Sequence, residues 1–83
     1  MSDSLHDARI QLKINRDKAP YTSRWRHVKS GDVYVVKMHV LREDTLAPAV
    51  IYYPHLGDPD IVWDRVAEEF FDGRYEQVYE GFR

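Results

Sequence analysis

Three features of this 83-residue chain predict a mainly β domain of about five short strands, with one helical turn before the last. Apolar and polar residues alternate through its middle. Gly, Pro and Asp punctuate that alternation at short intervals. The one stretch of clear helical spacing falls just ahead of the final alternating run.

The first 23 residues are polar and weakly patterned. Ile10, Leu12 and Ile14 alternate with Arg9, Gln11 and Lys13, which is strand-like, while Leu5, Ala8 and Leu12 also fit a helix. The favoured expectation is a flexible N-terminal arm, residues 1–23, with an edge strand over 9–14 and a linker over 15–20. Residues 24–83 then form the domain. A first strand is expected over 25–28, followed by a turn at Lys29-Ser30-Gly31-Asp32 in which Gly31 supplies positive φ. The longest strand, 33–41, places Tyr34, Val36, Met38 and Val40 on a core face. Val33, Val35, Lys37, His39 and Leu41 lie on the other. That second face is half apolar, as where a strand bends across a barrel.

After a polar loop, residues 49–55 read as a central strand, because Val50-Ile51-Tyr52-Tyr53 suits a pleated, buried surface. Pro54, Gly57 and Pro59 mark a loop. A short strand over 61–64 follows. Val66/Phe70 and Ala67/Phe71 are then spaced i,i+4 in a helical turn that Gly73 closes. Residues 75–79 make the last strand. This order is that of an SH3-like small barrel.

Composition narrows the function classes. Apolar residues make up 43%, charged residues 31% and aromatic residues 13%, which suits one small globular domain whose core is largely aromatic. With no Cys, disulfides and thiolate metal sites are excluded. No apolar run approaches the ~20 residues of a membrane span, and the start does not read as a signal peptide. A cytoplasmic location away from membranes is the resulting expectation. Net charge is −2, but its signs are segregated. Residues 1–42 carry nine Lys/Arg against four Asp, or +5. Residues 43–83 carry three against ten Asp/Glu, or −7. Either the halves pack and neutralise each other, or the first strands offer a basic face to an anion.

Several blocks resemble a known family. Trp25, Arg26, His27 and Lys29, then Tyr34 and Val36, then Val50-Ile51-Tyr52, then Trp63, Arg65 and Phe70 or Phe71 follow one another in the order and spacing of its signature. The family is the small bacterial and phage group called domain of unknown function sixteen-fifty-three. The likeness covers roughly residues 24–76. The chain departs from the signature at Ser30, Tyr53 and Val66. Because the family has no established activity, the resemblance implies a fold and carries across no catalytic residue.

Three groups of residues are candidates for chemistry. In a first strand, Trp25 and His27 share one face and Arg26 takes the other, so at most one side serves a site. Arg26 suits a phosphate or carboxylate, and His27 supplies a hydrogen bond. Trp63 and Arg65 suit an Arg stacked on an aromatic face, unless Arg65 simply pairs with a carboxylate such as Asp32 or Glu69. Of Tyr52 and Tyr53 one points inward and one outward. An exposed aromatic cluster could stack a base, a nucleotide or a peptide proline. The plain alternative is that the aromatics are core.

His6, His27, His39 and His55 are scattered, and neither a phosphate loop nor a nucleophile elbow is present. No metal, no cofactor and no catalysis are expected. The expected function is a binding module for an anionic or planar ligand (a nucleotide, modified base or nucleic acid) through Arg26, His27, Tyr53, Trp63 and Arg65. The alternative is an oligomerising or partner-binding accessory protein, such as a phage-related one, acting through residues 9–14.

Overall fold

The computed structural model describes residues 2–79. Residues 80–83 of the expected 24–83 domain, and Met1, lie outside the described residues. Five strands, β1 (Arg24–His27), β2 (Val33–Leu41), β3 (Pro48–Pro54), β4 (Trp63–Val66) and β5 (Tyr75–Val78), form one antiparallel sheet in the order β4-β3-β2-β1-β5. Helix α1 (Ser2–Lys18) precedes them. A short helix α2 (Ala67–Glu69) runs into a wide helical turn, Phe70–Arg74, and delivers the chain to β5. Gly73 breaks that turn at φ 104°, a conformation that suits a residue without Cβ. The mainly β architecture, the strand number and the helical turn before the last strand agree with the sequence. The sheet is open, with β4 and β5 as its edges.

Phe70 is fully buried and sits at the centre of the core. Its ring stacks on Tyr75 (centroids 4.6 Å apart) and meets Trp25 and Tyr52 edge-on or tilted at 5.3 and 5.5 Å. One side chain from the crossover thus touches β1, β3 and β5. Offset and edge-to-face contacts of this kind add about 0.5–1.5 kcal/mol each beyond area burial. Val36, Val50, Ala67 and Ala19 complete the cluster.

The inward face of β2 is not the one simple alternation gives. A bulge falls between Val36, opposite Tyr52, and Met38, opposite Ile51. The extra residue reverses the phase of the strand beyond it. His39, opposite the buried Val50, therefore turns inward at 8% exposure, while Met38, expected in the core, is 41% exposed.

The N-terminal segment is corrected more fully. Residues 9–14 are not an edge strand, and 15–18 are not linker: all belong to α1. Arg, Gln, Leu, Lys and Ala favour helix, and a helix lets Ala8, Asn15 and Ala19 share one buried stripe. Ile10 and Ile14, which alternation had suggested pairing in a sheet, are exposed. Pro20 ends the helix, since the residue before a proline avoids helical geometry. His39 Nε2–H donates to the Ala19 carbonyl at 2.8 Å and pins the helix end to β2.

Candidate functional site

The inward faces of β1, β2, β3 and β5 converge near the open side of the sheet. Trp25 points into the core, so His27, two residues on, stands on the same face. His27 pairs in register with Tyr75, and their rings lie 5.0 Å apart. Tyr34 and Tyr52 project from neighbouring strands with centroids 5.2 Å apart. Trp63 opposes Tyr52 on β4, and Arg65 stands two residues further along the same face. His27, Tyr34, Tyr52, Trp63, Arg65 and Tyr75 together line a cavity of about 200 Å³.

Polar atoms fix this aromatic hollow. The Tyr52 and Tyr75 hydroxyls share a hydrogen bond of 3.0 Å in the buried floor. Arg65 Nε–H donates to the Tyr52 hydroxyl at 3.5 Å, and its guanidinium lies 5.8 Å from the Tyr75 ring centroid. Arg65 joins edge strand β4 to edge strand β5 through side chains, where the backbones do not pair. Glu69 accepts from Arg65 at 3.1 Å and also meets Arg74 at 3.5 Å. The Ser30 backbone N–H donates to His27 Nδ1 at 3.3 Å.

Titration follows from burial. Loss of water pushes the Tyr75 phenol up to about 12, with the Tyr52 hydrogen bond adding to the shift and Arg65 opposing it. Tyr34 is raised by burial, then by the neighbouring charge of Asp32. Arg65 is held above the ordinary guanidinium range, first by its bond to the Tyr52 hydroxyl, and it remains a cation.

Of the five residues singled out in sequence, His27, Trp63 and Arg65 meet in this hollow. Arg26 and Tyr53 do not. Arg26 faces the other side of the sheet and forms an ion pair with its cross-strand partner Glu76. Tyr53 alternates with the buried Tyr52 and also looks to that far side. The carboxylate pairing weighed for Arg65 is present with Glu69. Tyr75 was missing from the expected site. Its place depends on β5 pairing with β1, a long-range contact without a local signal.

Among the described residues, no group of three or more His, Asp or Glu is placed to hold a metal ion. Among the described residues, no helix is long and apolar enough to cross a membrane. Compared with known proteins, the chain matches no family model, no curated protein and no solved structure.

Proposed function

We propose that this domain is a non-catalytic binding module that accepts one planar ring in the Trp63–Arg65 hollow, such as the base of a nucleotide or a modified base. The observation that carries this reading is the contrast between Trp63 and the floor. Trp63 is 51% exposed at the mouth, whereas Tyr52 and Tyr75 are buried and hydrogen-bonded beneath it. A fixed aromatic floor with a solvated indole above it suits stacking, worth about 1–3 kcal/mol per base. The cavity, at about 200 Å³, has room for one ring system. Arg65 brings a donor fork to the ring's edge or to an attached anion.

The surrounding charge favours a single nucleotide over a strand. Glu69 already offsets Arg65, and Asp32 lies close to Tyr34. Tight binding of a long polyanion requires several unopposed cations. A melting-temperature screen against nucleosides, nucleotides and short oligonucleotides tests the proposal, since a ligand selective for the native state raises the midpoint. A mononucleotide is expected to raise it. Arg65→Ala is expected to remove the rise and Arg26→Ala, on the far face, to preserve it. No rise with any of these compounds, or equal loss in both variants, would refute the site.

A second reading, association with a protein partner or another copy, is favoured by Leu5, Ile10 and Ile14 on α1, which are 51%, 49% and 42% exposed. Ile10 and Ile14 lie in the 9–14 segment expected to mediate such contacts, but that segment would present a helix rather than a strand edge.

A further inference from the structure

Beside the ring hollow, and sharing Tyr34 and Trp63 with it, lies a second and larger groove of about 510 Å³. One wall is the turn that leads into β2, at Gly31 and Asp32. The other is the loop between β3 and β4, with Pro54, Leu56 and Ile61. That loop leaves unusual apolar surface in water: Leu56 is 88% exposed, and Ile61 and Val62 are 41% and 43% exposed. Ile61, Val62 and Trp63 are consecutive, and Leu56 stands in the same loop, a concentration of exposed apolar groups that marks an interaction site.

The loop is also held in place. The His55 backbone N–H donates to the Val33 carbonyl at 2.8 Å, and Ile61 N–H to the Asp58 carbonyl at 3.1 Å. Asp58 Oδ1 accepts from the Asp60 N–H at 2.9 Å. Gly57 packs so near Pro54 that an added Cβ would lie 3.0 Å from the proline Cβ. A surface ordered before binding loses less entropy when it is covered.

Charge decides the occupant. The flanking segments carry Asp32, Asp58 and Asp60 against one cation, Lys29, and residues 43–64 contain neither Lys nor Arg. Such a rim repels a polyanion and attracts a cation. We propose that this groove docks an extended peptide segment of a partner protein that combines Lys or Arg with large apolar side chains. The apolar groups cover Leu56, Ile61 and the outer side of Trp63, and the basic groups face Asp32, Asp58 and Asp60. This goes beyond ring binding, since it uses an adjoining surface that has Tyr34 and Trp63 in common with the hollow but the opposite charge preference.

Selection of short random peptides on the full-length chain tests the proposal without presuming a sequence. The enriched peptides are expected to carry Lys or Arg beside large apolar residues. Their affinity, read by fluorescence anisotropy, is expected to fall about tenfold in the Asp58→Asn, Asp60→Asn double variant and to weaken with added salt. Asparagine keeps the Oδ1 acceptor, so the loop turn is preserved. Arg65→Ala is expected to leave peptide affinity unchanged, which separates this surface from the ring site. No enrichment, enrichment of acidic or purely apolar peptides, or unchanged affinity in the double variant would overturn it.

Discussion

At the scale of single residues, Tyr52 joins stability to the site. Its ring packs against Phe70 and Tyr34, and its hydroxyl meets both Tyr75 and Arg65. Tyr52→Phe keeps the ring and removes that hub, leaving the Tyr75 hydroxyl without its buried partner. Unsatisfied buried groups cost about 1–3 kcal/mol. A loss of that size is expected in urea denaturation, with the slope unchanged. A neutral result would show that the hydroxyl pair is not a support of the floor. Much at this scale was legible in sequence. Alternation alone separates His27 from Arg26 and Tyr52 from Tyr53, and the structure places each pair on opposite faces. What alternation cannot supply is which long-range partner completes a face, and Tyr75 arrives through such pairing.

At the scale of elements, β1, β3 and β5 fall within one residue of their expected bounds, β2 matches 33–41 throughout, and β4 lies two residues later than the expected 61–64, so that Arg65 and Val66 belong to the strand and not to the helical turn. Turn residues and β-branched runs are local signals, carried by a few neighbouring residues. The bulge in β2 is not local in the same sense. Nothing in Val-Lys-Met-His announces an extra residue, which shows itself only in the pairing of β2 with β3. Helix α1 was obscured for another reason. Its buried stripe, Ala8 and Asn15 continued by Ala19 just past its end, is made of small or polar side chains that give a weak apolar period, while the conspicuous Ile10 and Ile14 point to water. If those isoleucines serve a partner or a second copy, the association is a property of the helix surface. In light scattering, the double variant Ile10→Ser, Ile14→Ser is then expected to show a lower mass than the parent chain, with helix content retained by circular dichroism. Equal monomeric mass in both would dismiss self-association through α1.

At the scale of the whole molecule, the segregation of charge along the chain is only partly cancelled by contacts. Among the described residues, Arg26–Glu76 and the local Arg42–Asp44 contact join the basic and acidic halves, whereas Arg65 and Arg74 pair within the acidic half. Exposed pairs contribute about 0–1 kcal/mol each, so the aromatic core carries most of the cohesion. That core gives the domain an alkaline weakness. Tyr75 has its folded pKa raised to about 12 from an ordinary value near 10. The stability this lends is fully present below pH 10. It is lost as pH rises from 10 through 12, because the unfolded chain ionises first. The loss over that window is on the order of 2 kcal/mol, and Tyr34, shifted the same way, adds to it. Melting temperature is thus expected to fall steeply above pH 10, together with phenolate absorbance appearing at unfolding. A flat melting temperature to pH 12 would contradict the buried tyrosine floor.

The central claim is that a planar ring enters beside Trp63, and the two tryptophans make it directly visible. Trp25 is buried in the core and Trp63 is half in water, so their indole N–H signals report two separate places in a proton–nitrogen correlation spectrum. On titration with a mononucleotide, the Trp63 indole signal and the backbone amides of His27, Tyr34 and Arg65 are expected to shift in a saturable way. The Trp25 indole and the Arg26 and Tyr53 amides are expected to move far less. A spectrum in which Trp63 stays fixed at saturating nucleotide, or in which the Arg26–Tyr53 face responds instead, would contradict the account.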